Sequence, residues 1–106
     1  MVTFDEFKKL DIRTAKIIDV RDHPSADKLY VVDVEIGEDK RQIVAGIKKY
    51  YTPQDLIGKN IAVITNLEPA LIRGVESNGM LLAASDDNNL SVLTLDKDMP
   101  SGSTIR

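Results

Sequence analysis

The run Thr52-Pro53-Gln54-Asp55-Leu56-Ile57-Gly58 is a clear helix signal set among strand-forming runs, and its position restricts what the chain can fold into. Threonine offers its hydroxyl as an N-cap, proline suits the first helical position because its missing N–H loses no partner there, and glycine closes the turn. One or two helical turns follow from that spacing. Three strand signals precede it. Ile12 to Val20 is rich in β-branched residues, and its alternation slips near Ala15 to Ile17, as a bulge or barrel corner requires. After a turn signalled by Pro24 and Asp27, Tyr30, Val32, Val34 and Ile36 alternate with Val31, Asp33 and Glu35, the pattern of a half-buried strand. Gly37 to Lys40 reads as a tight turn and Arg41 to Ala45 as the third strand. Beyond the helix, Ile61 to Thr65 and Met80 to Ala84 read as strands, Asp86 to Asn89 as a turn, and Leu90 to Leu95 as a further strand.

Three strands, a short helix and two or more strands in 106 residues suit an all-β, five-stranded closed barrel of the OB type, with the helix between strands three and four. A sandwich is the alternative, but the turns come too irregularly for it. At the start of the chain, Thr3 and Glu6 have the spacing of a capping box, which puts Phe4, Phe7 and Leu10 on one face of a short N-terminal helix. That face either plugs one end of the barrel or packs against a second copy of the chain. A chain of this length buries roughly 65% of its unfolded surface, so residues 1–106 are expected to form one domain around one core.

Composition removes most catalytic classes. There is no cysteine for a disulfide, a thiolate metal site or a nucleophile, and His23 is the sole histidine. It stands before a proline in a turn, where it either stabilises that turn or meets a ligand. Gly74 and Gly79 do not form a phosphate-loop pattern. Neither catalysis nor a cofactor is expected. No run approaches the roughly 18 apolar residues of a membrane span, and the opening MVTFDEFKKL carries acids where a signal peptide is basic, so a cytoplasmic chain without a membrane partner is expected. The net charge of −3 argues against general affinity for polyanions. Acids gather after residue 85, however, which leaves room for a local basic face earlier in the chain.

The segment from Asn66 to Met80 is the part that packing explains least. A hairpin needs only about two to five linking residues, and long loops on a β scaffold are where function usually sits. Pro69 and Gly74 can shape the loop while Ile72 and Val75 cover the barrel mouth. Arg73 can clamp a phosphate by two hydrogen bonds. The Ser77 hydroxyl, the Asn78 amide and the backbone N–H of Gly79 can satisfy phosphate or ribose oxygens, and Met80 is either core or an adaptable apolar contact. Arg13, Lys16, Lys28, Lys40, Arg41, Lys48 and Lys49 supply further cations. Aromatic platforms are scarce: Tyr30 alternates with the core face, leaving Tyr50 and Tyr51. That shortage favours recognition of a folded RNA by backbone and shape over stacking of a single strand.

The segments HPSADKL at 23–29, IVAGI at 43–47 and NLEPALIRGVESNGMLLAA at 66–84 resemble the OB-fold tRNA-binding domain. That domain occurs free-standing, appended to methionyl-tRNA synthetase, and at the end of the synthetase-associated cytokine precursor. The resemblance implies a non-catalytic module that binds tRNA at the outer corner of the L with little sequence preference, helps an aminoacyl-tRNA synthetase, expected here to be the methionyl enzyme, and pairs as a homodimer that the chain ends help to build. With the reading of the residues, it nominates Arg13, Lys16, Lys28, Arg41, Lys48, Lys49, Asn66, Arg73, Ser77, Asn78, Gly79 and Met80 for tRNA contact. The chain departs from the family in having Glu68 and Leu71 where lysine or arginine is usual, which weakens the electrostatic grip. Its opening, FDEFKKLDIRTAKI, also resembles the start of CsaA, a peptide-binding, secretion-related chaperone of the same fold, which is the alternative function.

Overall fold

A computed structural model describes residues 1–106. The β-branched runs form β1 (Ile12–Asp22), β2 (Tyr30–Ile36), β3 (Asp39–Ala45) and β4 (Asn60–Ile64), with α1 (Phe4–Phe7) ahead of them and α2 (Pro53–Leu56) between β3 and β4. The later strands are short: β5 (Ala70–Ile72), β6 (Val75–Ser77), β7 (Met80–Leu81), β8 (Ala83–Ser85), β9 (Leu90–Val92) and β10 (Thr104–Ile105). The main sheet runs β3-β2-β1-β4-β7, and β10 adds to β1. These five strands curl into the expected OB-type barrel, because β7 lies beside β3 as well as β4. At the seam, a Cβ on Gly79 would stand 3.3 Å from Val63 Cγ1 and 3.4 Å from Ile43 Cδ1, so a bare backbone lets the two sides meet.

Curling depends on β1. Its first half pairs with β4, from Ile12↔Ile64 to Lys16↔Asn60, and its second half with β2, from Lys16↔Glu35 to Asp22↔Tyr30. The ladder slips between Ile17 and Asp19, so the bulge falls at Ile18, slightly later than the apolar alternation suggests. Thr14 and Ala15 are both buried, which is why the pattern already loses its phase there. One continuous core fills the barrel, with Ile17, Val32, Val34, Ile43, Leu56, Ile61 and Val63 among its solvent-excluded side chains. Each such side chain contributes roughly 1.5–3 kcal/mol by leaving water. Leu56 explains α2: Thr52 and Asp55 cap the turn reciprocally, and the turn delivers one leucine into the core.

Several sequence expectations shift. The third strand starts at Asp39, because Gly37 at φ +62° makes a tighter turn than the four residues foreseen. The run from Met80 to Ala84 divides at Leu82: β7 continues the barrel, while β8 pairs with β9, and the strand expected over Leu90 to Leu95 ends at Val92, with an isolated bridge from Thr94 to Ile61 beyond it. Phe4, Phe7 and Leu10 do not plug the barrel. Although Thr3 and Glu6 form the capping box, the three side chains are 72%, 38% and 40% exposed. No helix is long and apolar enough to cross a membrane.

Candidate nucleic-acid interface

The stretch from Asn66 to Met80 is not an irregular loop. Ala70↔Ser77, Leu71↔Glu76 and Ile72↔Val75 pair as a hairpin whose two-residue turn is Arg73-Gly74, at φ +51° and +88°. A mirror-image turn of this kind matches the twist of its strands and is normally filled by Asn-Gly or Gly-Gly. Arginine in the left-handed region carries a steric penalty of roughly 1 kcal/mol. A strained residue at an exposed tip points towards use.

The hairpin is pinned from both sides. Along β6, the Gln42 side-chain amide donates to the Glu76 carbonyl at 2.8 Å, the Val44 N–H donates to the Ser77 hydroxyl at 2.9 Å, and the Asn78 N–H donates to the Gln42 carbonyl at 2.8 Å. At the tip, Arg73 Nη2 donates to the Ser25 carbonyl at 2.9 Å and the Ser25 hydroxyl donates back to the Arg73 carbonyl at 3.1 Å. Beneath them His23 is buried, its Nε2 3.0 Å from the Ile72 carbonyl and its Nδ1 accepting the Ser25 N–H at 3.0 Å. Arg73, Ser25, Lys28 and Asp27 line a cleft of about 450 Å³.

The nominated residues separate along β1. At its Asp22 end, Arg73 and Lys28 share the cleft, Lys48 Nζ sits 3.1 Å from Asp22 Oδ1, and Lys49 is exposed next to Lys48. Asn78, Gly79 and Met80 follow the hairpin's base into the barrel seam, and Met80 is 45% exposed, so its side chain is not core. At the Ile12 end each arginine is engaged twice, by a carboxylate and by a backbone carbonyl. Arg13 Nε lies 3.0 Å from Asp11 Oδ2 and Nη1 donates to the Gly102 carbonyl, while Arg41 Nε lies 2.9 Å from Asp39 Oδ2 and Nη1 donates to the Thr65 carbonyl. Asn66 brackets the chain, accepting the Asp11 N–H and donating to the Lys9 carbonyl. Lys16 is exposed on a different side, by Asp98 and Met99.

Two expectations change as a result. Ser77 is 4% exposed and its hydroxyl is spent on the Val44 N–H and the Gly79 carbonyl, so it shapes the hairpin instead of offering itself to a ligand. Arg13 and Arg41 join a network in which the Thr65 hydroxyl, then Arg13, hold the Asp11 carboxyl below its ordinary 3.8. The residues that sequence reasoning missed are Ser25 and Gln42, with His23 between its two readings until the buried ring is seen. The signal for the occupied cations was present: Asp11-Ile12-Arg13 and Asp39-Lys40-Arg41 put acid and base two apart on a strand, hence on one face.

The comparisons agree with this architecture. The chain matches the family described as "Putative tRNA binding domain" over residues 12–104. It is 56% identical over 105 residues to the methionine–tRNA ligase of Thermococcus kodakarensis, covering 99% of this chain and 14% of that enzyme. The match to the Methanocaldococcus jannaschii enzyme is 50% over 100 residues and 15% of its length, so the chain spans about a seventh of these relatives. Among solved structures, a MetRS related protein from Pyrococcus horikoshii superposes with a TM-score of 0.93 at 28% identity, covering 100% of this chain and 98% of that one. The CsaA chaperone protein from Picrophilus torridus gives 0.92 at 30% identity, with 100% of both chains covered. A family match over nearly all the barrel, with the β5–β6 hairpin inside it, places this chain in the tRNA-binding domain family.

Proposed function

We propose that the chain is a non-catalytic module that grips tRNA by its sugar-phosphate backbone, works with a methionyl-tRNA synthetase and acts in the cytoplasm. The observation that carries this reading is the hairpin tip, where a left-handed Arg73 stands beside Lys28 with Lys48 and Lys49 on the neighbouring loop. Guanidinium and ammonium groups with a single exposed aromatic beside them, Tyr50 next to Lys49, suit phosphate contact and little base readout. Asn78, the Gly79 backbone and Met80 extend the contact along the hairpin's base. Arg13, Arg41 and Asn66 keep structural roles, since their polar groups are engaged, and Lys16 lies off this face. The 56% identity to a methionine–tRNA ligase supports the choice of synthetase.

The module pairs with a second copy through the apolar face of α1 and the residues before it, where Phe4 is 72% and Val2 74% exposed. Sedimentation checks this, and a monomer at micromolar concentration contradicts it. A peptide-binding chaperone is the second reading, favoured by Leu71, which stands 75% exposed on the outward face of β5, and by the likeness to CsaA structures. Competition decides between them. Labelled bulk tRNA should bind and be displaced by unlabelled tRNA but not by unfolded peptide; peptide bound in a form that tRNA fails to displace supports the chaperone reading instead.

A further inference from the structure

His23 is placed to control the arginine. A hairpin of three residues per strand is at best marginal without tertiary support. The hydrogen bonds that tie β5 and the turn to the rest of the chain all come from the 23–25 segment: His23 Nε2 with the Ile72 carbonyl, and the reciprocal pair between Ser25 and Arg73. The imidazole is the buried member of the set, at 6% exposure. Its partners define its protonation. Nδ1 accepts the Ser25 N–H, so the proton sits on Nε2, which donates to the Ile72 carbonyl. One ring therefore fixes the Ser25 turn and the residue before Arg73 at the same time.

We propose that His23, in its neutral Nε2–H form, is the positioning residue of the basic face: it latches the hairpin tip to the 23–25 turn, so that the Arg73 guanidinium is presented to a phosphate in one orientation. This rests on the tRNA-binding reading. His23 touches no ligand and acts through Arg73. Unlatched, the guanidinium keeps its charge but samples many orientations, and each contact then costs side-chain and backbone entropy on binding.

The test is a double-mutant cycle on tRNA affinity at low salt together with hydrogen exchange of the free protein. Asparagine at 23 keeps an acceptor for the Ser25 N–H, as in an Asx turn, but is too short to reach Ile72. His23→Asn should weaken tRNA binding about threefold and Arg73→Ala about tenfold, yet His23→Asn added to Arg73→Ala should change affinity by less than about 1.5-fold. In the free protein it should speed amide exchange at residues 70–77 while β1 to β4 stay protected. The sole imidazole should show the Nε2–H tautomer by nitrogen NMR. Ser25→Ala, an exposed change that leaves the core intact, should reproduce a weaker form of the exchange effect.

A full additive loss in the double mutant means that His23 acts on the fold and not through Arg73, and overturns the proposal. Unchanged exchange at 70–77 overturns it too, and needs no RNA. If Arg73→Ala binds as tightly as the unchanged chain, the tRNA reading of the tip is what fails, while the exchange limb still decides whether the latch exists.

Discussion

At the scale of single residues, position relative to other charges decides which cations can serve a ligand. Arg13 and Arg41 each face an aspartate two residues back and a backbone carbonyl, whereas Arg73 has only the Ser25 carbonyl at the tip. Arg73 also occupies a conformation that asparagine tolerates better. Arg73→Asn should therefore leave stability within about 0.5 kcal/mol of the original or raise it, while tRNA affinity falls about tenfold; denaturant titration and a filter-binding assay check the two halves. The acids make a second expectation. Asp11, Asp55 and Asp86 are all held below the ordinary 3.8, the first by the Thr65 hydroxyl and then Arg13, the second by the Thr52 N–H and hydroxyl, the third by the N–H groups of Asn88 and Asn89. Each folded carboxyl ionises more readily than its unfolded counterpart. Their contribution is then complete above pH 3.8 and is lost as pH falls from there through the lowered folded values. Unfolding followed between pH 5 and 2 should show Asp11→Asn with a shallower acid limb.

Among the elements, legibility followed signal length. The long strands and α2 could be read because β-branched alternation runs over seven residues or more in β1 and β2, and because Thr-Pro…Gly specifies a capped turn. The β5–β6 hairpin could not: its strands have three residues each and its turn places arginine where asparagine or glycine is the usual signal. β10 was equally hidden, since two residues carry no period, and it exists because the C-terminal segment docks at Gly102. There a Cβ would come 2.9 Å from the Gly37 backbone nitrogen, at φ +87°. Gly102→Ala should cost about 2 kcal/mol or more, seen as a lower denaturation midpoint. Leu56→Ala, which removes the one side chain α2 sends into the core, should cost about 3 kcal/mol in the same assay.

For the whole molecule, the net charge of −3 and the proposed RNA contact are compatible because charge is distributed by loop, not by average. The acids after residue 85 lie on the β8–β9 turn and the final segment, while Arg73, Lys28, Lys49 and the Asp22-paired Lys48 lie at the other end of β1 from Arg13 and Arg41, whose guanidiniums each hold both a carboxylate and a backbone carbonyl. The barrel and the helix position were legible in the sequence, and so was the overlong link between Asn66 and Met80. The pairing of Arg13 with Asp11 and of Arg41 with Asp39 was written there as acid and base two apart, but the placing of Arg73 at the far end of β1 from them was not, because it depends on which strand ends the bulged β1 brings together. Binding of unfractionated tRNA across a salt series tests the central claim most directly. The slope of log K against log salt should be about −2 to −3, as expected for three or four phosphate contacts, and Arg73→Ala should reduce it by about one. Affinity that is absent at low salt, or that does not change with salt, contradicts the account.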